Sequence, residues 1–219
     1  MQLPVQQSGD LSQRSPRDVR AMALAIQANL VHLKVVESKR RGLRSERHEI
    51  KVPAPGFVRE FRETLLDPAV LAGYPDDHLV LRLREIWGQF CLMLWLFSYA
   101  DPPESADFSE LSAEAEMRCG PVLDVKHDEL HAILWLLRFE QRRRQDPEYV
   151  RSIEFGEHER VARKIPGQAF GKPVAQCSEI ELLHSACEYA GMLAAARWVM
   201  GRVRNWGEEG SMAVEDRPF

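Results

Sequence analysis

The sequence predicts an all-α fold, a single-domain helical bundle of about six to seven helices. Apolar residues recur at helical spacing over most of the chain. Capping residues, prolines and glycines punctuate those runs at their ends. No pair of alternating stretches appears that could build a sheet.

Ser15-Pro16 supplies an N-cap and a first-turn proline, after which Val19, Met22, Ile26, Leu30 and Leu33 line one face up to Arg40-Arg41-Gly42. Leu43 to Pro53 is charged and reads as a loop, although Glu49-Ile50-Lys51-Val52 is briefly strand-like. Phe57, Phe61, Leu65 and Leu66 predict a short second helix, extended by a turn or two through Val70, Leu71 and Tyr74. A third helix, capped by Asp76 or Asp77, is one-sided through Leu79, Leu83, Ile86, Trp87 and Phe90 and then apolar all round, as in the middle of a bundle. Ser109 is expected to cap a short helix through Cys119, closed by Gly120-Pro121.

Asp124 is expected to open a long fifth helix through Gln145, and Asp146-Pro147-Glu148 a sixth that includes Gly156 and ends before Pro166-Gly167. A flexible turn over 167–173 leads to Ser178, whose spacing from Glu181 is that of a capping box. The last helix is expected to reach about Asn205. Residues 1–14 read as a flexible arm, 15–205 as the bundle and 206–219 as a tail. No fixed-period repeat is evident, so a solenoid is not expected.

Composition narrows the function classes. The 219 residues are 45% hydrophobic and 28% charged, with a net charge of -4, values of a soluble globular protein. The first ten residues carry no basic residue and no apolar run, unlike a secretory signal. The densest apolar run, Phe90 to Ala100, is about half the length a bilayer crossing needs, so no transmembrane segment is expected. The cysteines, Cys91, Cys119, Cys177 and Cys187, form no Cys-x-x-Cys pair and suit a reducing cytosol.

His127-Asp128-Glu129-Leu130-His131 puts two imidazoles one helical turn apart, the geometry by which a helix chelates a transition metal. It nearly matches His-Glu-x-x-His, but Asp128 stands where a zinc protease needs its glutamate base, and nothing upstream supplies a substrate-binding sheet. A bundle can also hold metals between inward glutamates and Glu-x-x-His pairs. Glu181 with His184, Asp128 and Glu129 with His131, Glu154 with His158, and Glu85 are therefore considered for such a site, while Glu154 or Glu157 is the downstream carboxylate the protease pattern could use as a third ligand. At 100° per residue, Glu181 and Glu188 lie about 150° and about 130° from the Ile180, Leu183, Cys187, Ala190, Ala194 stripe and are expected in water. His127 and His131 flank the Leu130, Ile133, Leu134, Leu137 stripe and are expected half-buried. No cofactor is expected, and a divalent metal on His127, His131, His184 and Glu154 is the alternative, with Asp128 orienting an imidazole.

Arg40 and Arg41, then Arg142, Arg143 and Arg144, Arg163-Lys164, and Arg202 with Arg204 lie at predicted helix C-termini, where cations complement the macrodipole. If the first, fifth and last helices ran parallel, three of these clusters would form a basic pole able to meet nucleic acid or an acidic protein. No helix-turn-helix, finger or stacking motif accompanies them. Nucleophilic chemistry has no elbow or phosphate loop; Cys187 falls on the apolar stripe, and Cys177 is the weaker candidate left. Trp87, Trp95, Trp135 and Trp198 read as core anchors, and Trp206 as a cover for a core edge or a partner contact.

Ala195-Ala196-Arg197-Trp198-Val199-Met200-Gly201, followed by Asn205-Trp206-Gly207-Glu208-Glu209, resembles the closing helix and acidic tail of an uncharacterised bacterial all-helical family of unknown function. Trp87 to Ala100 is similar to that family's central tryptophan-rich helix. The resemblance covers about a fifth of the chain, and Arg197 departs from the asparagine usual before the tryptophan. It implies a helical fold and a bacterial origin. The reading that follows is a cytosolic helical accessory protein that binds another protein and uses no catalysis, with metal binding and nucleic-acid association as alternatives. No membrane contact is expected.

Overall fold

The computed structural model describes residues 13–42, 70, 73–98, 108, 111, 115–169 and 171–203. The strand-like run at 49–52, the second predicted helix at 57–66, Arg44, Arg47, Arg204, Trp206 and the tail lie outside the described residues. The fold is all-α. Helix α1 spans Pro16–Arg40, with the Ser15 hydroxyl accepting from the Asp18 amide at 3.2 Å. Helix α2 spans Asp76–Leu96. It follows Pro75 with no side-chain cap, so Asp76 and Asp77 sit inside the first turn, where they face the positive end of the dipole.

Helix α3 spans Pro121–Gln145 and starts before Asp124, because proline's fixed φ suits a first helical position and Gly120 turns the chain at φ +56°. The predicted sixth helix is two: α4, Pro147–Val150, and α5, Ile153–Ala162. Ser152 makes the break, accepting from the Phe155 amide and donating to the Tyr149 carbonyl. The predicted flexible turn holds a two-residue antiparallel pair, Gln168–Ala169 with Lys172–Pro173, and a 3-10 turn at Val174–Gln176. Helix α6 spans Glu179–Val199, with the Ser178–Glu181 capping box formed. It stops short of Asn205 because Gly201 takes φ +70°.

The helix expected from Ser109 to Cys119 is absent where it is described, residues 115–119 being irregular. The Arg118 amide donates instead to the Leu96 carbonyl at 2.8 Å, so this segment terminates α2 rather than continuing its own ladder. Phe108, fully buried, stands edge-on to Phe90 and Phe97, and its amide donates to Gln27.

Helices α1 and α3 begin at the end of the bundle where α2 and α6 finish. Arg40 at the end of α1 meets Asp76 at the start of α2, and Arg202 beyond α6 meets Asp124 in the first turn of α3. The main core joins α1, α2, α6 and the first half of α3, and a second cluster joins the rest of α3 to Tyr149, Val174, Cys177 and Leu182. By length and composition α1 could cross a membrane, but most of that stretch is buried here against the bundle.

A repeat missing from the sequence reading appears at this level. The hairpin α1–α2 and the hairpin α3–α6 share helix lengths, 25 then 21 residues. Glu85-Ile86-Trp87-Gly88 in α2 corresponds to Glu188-Tyr189-Ala190-Gly191 in α6, and Trp95-Leu96 to Trp198-Val199. The two halves exchange contacts reciprocally. The Arg14 amide donates to the Val199 carbonyl at 2.9 Å and its guanidinium covers Trp198, while Arg118 does the same to Leu96 and Trp95. Ser98 and Gly201, two residues past each helix, both take positive φ. Such mutual exchange is the signature of a two-fold relation between like units. Gln13 and Arg14, assigned by sequence to the arm, thus belong to the bundle.

Candidate functional site

His127 is buried and His131 exposed, instead of both being half-buried, because α3 turns its His127 face toward the end of α6. The rings lie nearly parallel with centroids 6.4 Å apart. Nδ1 of His127 is 3.0 Å from Asp128, and Nη1 of Arg202 lies within 3.4 Å of both ring nitrogens while Nη2 donates to Asp124. A guanidinium at the nitrogens that would ligate opposes a metal cation there. His184 sits near the start of α6, and Glu154 on α5 pairs with Arg142 and His158, both at the opposite end of the bundle from His127. The four candidate ligands are therefore not brought together. Among the described residues no group of three or more histidines, cysteines, aspartates or glutamates could hold a metal ion.

The basic pole loses its premise in the same way. Helix α6 runs opposite to α1 and α3, so Arg202 lies at one end and Arg40, Arg41 and Arg142–Arg144 at the other. The second group is balanced where it stands. Arg40 pairs with Asp76, Arg41 with Glu37, Arg142 with Glu154, and Arg143 and Arg144 share Glu140. Arg144 also donates to the carbonyls of Cys177 and Ala175, tying the end of α3 to the approach to α6. Arg163 pairs with Glu159.

Two acids are buried in the bundle, Glu85, which the sequence offered as an inward candidate, and Glu188, which it did not. Glu188, expected in water, is buried, and Ile180 and Leu183, expected inside, are exposed. The reason is that α6 meets α2 backbone to backbone, Gly191 against Glu85 and Glu188 against Gly88, and this close approach carries Glu188 in with it. Glu188 reaches Arg84 of α2 at 2.9 Å. Glu85, 2% exposed, pairs with Arg82 through one oxygen, and its other oxygen is buried without a partner. Burial pushes both carboxyls above the usual range, outweighing the nearby arginines. Glu140 is the reverse: burial raises it, but Arg143 and Arg144 together hold it below the ordinary value. For His184, burial and the Arg84 charge lower its proton affinity.

The chain matches no family model, no curated protein and no solved structure. What chemistry it has must be read from its own side chains. Sequence reasoning passed over an aromatic cluster at the end of α3. The Tyr149 hydroxyl lies 2.7 Å from Nδ1 of His158, Trp135 stands edge-on to that imidazole, Phe155 stacks on Phe139, and the Arg142 guanidinium covers the Tyr149 ring at 4.0 Å. Burial pushes the Tyr149 phenol up, which suits a packed hydrogen-bond donor rather than a nucleophile. Cys177 is buried with its thiol toward the Pro173 carbonyl, and Cys187 is core as expected. Trp198 is a core anchor, whereas Trp87, Trp95 and Trp135 are half-buried at the rim.

The same end of the bundle carries apolar side chains in water. Ile153 at the start of α5 is 89% exposed and Ile180 on α6 is 66% exposed, with Val150, Val161 and Leu183 also outside. Val122 and Val125 are exposed at the other end.

Proposed function

We propose that the chain acts by binding a protein partner, through the end of the bundle formed by α4, α5 and the first turns of α6. The exposure of Ile153 and Ile180 carries this reading. β-branched aliphatics standing in water on helices otherwise well supplied with charge are the feature a partner's apolar surface would cover. The frame beneath is firm: Arg144 and the Tyr149–His158 cluster hold α3, α4, α5 and the approach to α6 together, so a partner would meet a preorganised surface. The paired arginines and the guanidinium on His127 favour neither nucleic acid nor metal. Four cysteines without disulfides support a reducing, cytosolic setting.

The test is site-specific photocrosslinking in cells that express the protein, with the probe at Ile153, at Ile180 and, as control, at exposed Arg17 on α1. A shared adduct of defined mass from the first two positions, missing from Arg17 and lost in Ile180→Asp when the probe is at Ile153, supports the proposal. Adducts of equal yield from all three positions, or none from Ile153 and Ile180, refute it.

A further inference from the structure

The contact between α2 and α6 has the form of a subunit interface made within one chain. Gly88 packs on the Glu188 backbone and Gly191 on the Glu85 backbone, so that each glycine, three residues after a glutamate, receives the other helix's glutamate. Arg14 and Arg118 cap each other's partner hairpins as described above. Each hairpin therefore leaves the last carbonyls of its own long second helix to be satisfied by the other half. A hairpin by itself lacks that cap and exposes the face bearing its glycine.

We propose that a second copy of this chain is a partner this interface fits, the copies exchanging hairpins to form a dimer in which α1–α2 of each packs on α3–α6 of the other. Nothing new has to be built, because an exchanged dimer repeats the intramolecular contacts twice. Phe108 belongs with the first hairpin through Phe90, Phe97 and Gln27, and the nine residues 109–117 that lead from it to Arg118 reach about 30 Å when extended, enough to cross to a neighbouring molecule. Within one chain the joining segment keeps the halves at high effective concentration, so the monomer prevails in dilute solution and exchange is a property of concentrated refolding. This inference does not depend on the surface at Ile153 and Ile180.

The Arg84–Glu188 pair, which crosses between the hairpins, provides the test in full-length protein. Arg84→Glu and Glu188→Arg each place like charges across the interface of a single chain. In an exchanged heterodimer of the two variants, one interface regains the native pair and the other regains it reversed. Equimolar co-refolding at high concentration should give a species of twice the 25.1 kDa chain mass. Its fraction should exceed that in either variant alone by about tenfold, the expected return of a favourable pair. Two differently tagged wild-type chains co-refolded in the same way should yield a mixed-tag dimer. A variant mixture that stays monomeric while the single-chain double variant Arg84→Glu, Glu188→Arg recovers the wild-type melting temperature overturns the proposal. So does the absence of any mixed-tag dimer from the wild-type chains.

Discussion

Gly88 lies so close to Glu188 that a Cβ added to the glycine would run into the glutamate's carbonyl group. The same is true of Gly191 and Glu85. At this crossing two helices meet backbone to backbone, and the first prediction follows from it. Gly to Ala within a helix ordinarily stabilises by about 1 kcal/mol. Gly88→Ala and Gly191→Ala should instead destabilise by about 1 to 3 kcal/mol, since the clashing atoms are backbone and cannot swing away. Gly156→Ala in α5, where nothing lies within 4 Å, should stabilise. Melting temperatures of the three variants decide this, and a stabilised Gly88→Ala would show the approach to be looser than described.

Glu85 gives a pH dependence of opposite sign to a surface ion pair. Its folded-state proton affinity is raised above the ordinary 4.5, with burial as the main cause, so the folded protein holds that proton more tightly than the unfolded chain. Its contribution is most favourable at low pH and is lost as pH rises from 4.5 through the folded value. Glu85→Gln should therefore melt above wild type at pH 8, with the difference shrinking toward pH 4.5. A variant that melts lower at pH 8 would mean the Arg82 contact outweighs the burial.

Glu181 behaves the other way. Its hydrogen bonds from Lys172 and from the Ser178 backbone lower the carboxyl to about 2. The capping box is intact above 4.5 and is lost as pH falls toward 2, so Glu181→Gln should weaken the acid sensitivity of the start of α6. Amide exchange of residues 178–182 between pH 4.5 and 2 measures it. Identical profiles in variant and wild type would exclude the linkage.

Arg144 ties the end of α3 to the approach to α6. Arg144→Met should cost about 2 to 3 kcal/mol, as charge-assisted bonds to Glu140 and the Cys177 carbonyl are lost together. Arg142→Met, on a more exposed pair, should cost less than about 1 kcal/mol. Urea denaturation distinguishes them, and equal losses would place the tie elsewhere.

The helical class, the first helix with its Ser15 cap and the Ser178–Glu181 box were legible in the sequence, because period and capping are local properties of the chain. The internal pairing of hairpins was not, since Glu85, Gly88 and Trp95 matched to Glu188, Gly191 and Trp198 is a sparse pattern that stands out only once the contacts of Arg14 with Trp198 and Arg118 with Trp95 relate the halves. The assignment of Ile180 and Leu183 to the inside of α6 failed for a related reason. Apolar periodicity marks the greasiest face, while the closest approach to α2 is made at Glu188 and Gly191, where the glycines of both helices leave room for backbone.

Sequence by itself thus determined that this protein is helical, where its firmest caps fall and which residues could serve as ligands or cations. The tertiary structure decided that Arg202 lies against His127, that the arginines pair with Glu140 and Asp76, and that Glu85 and Glu188 go inside. Those outcomes depend on helix direction and on how closely two backbones approach. Both are set by residues far apart in the chain, and no local pattern carries them.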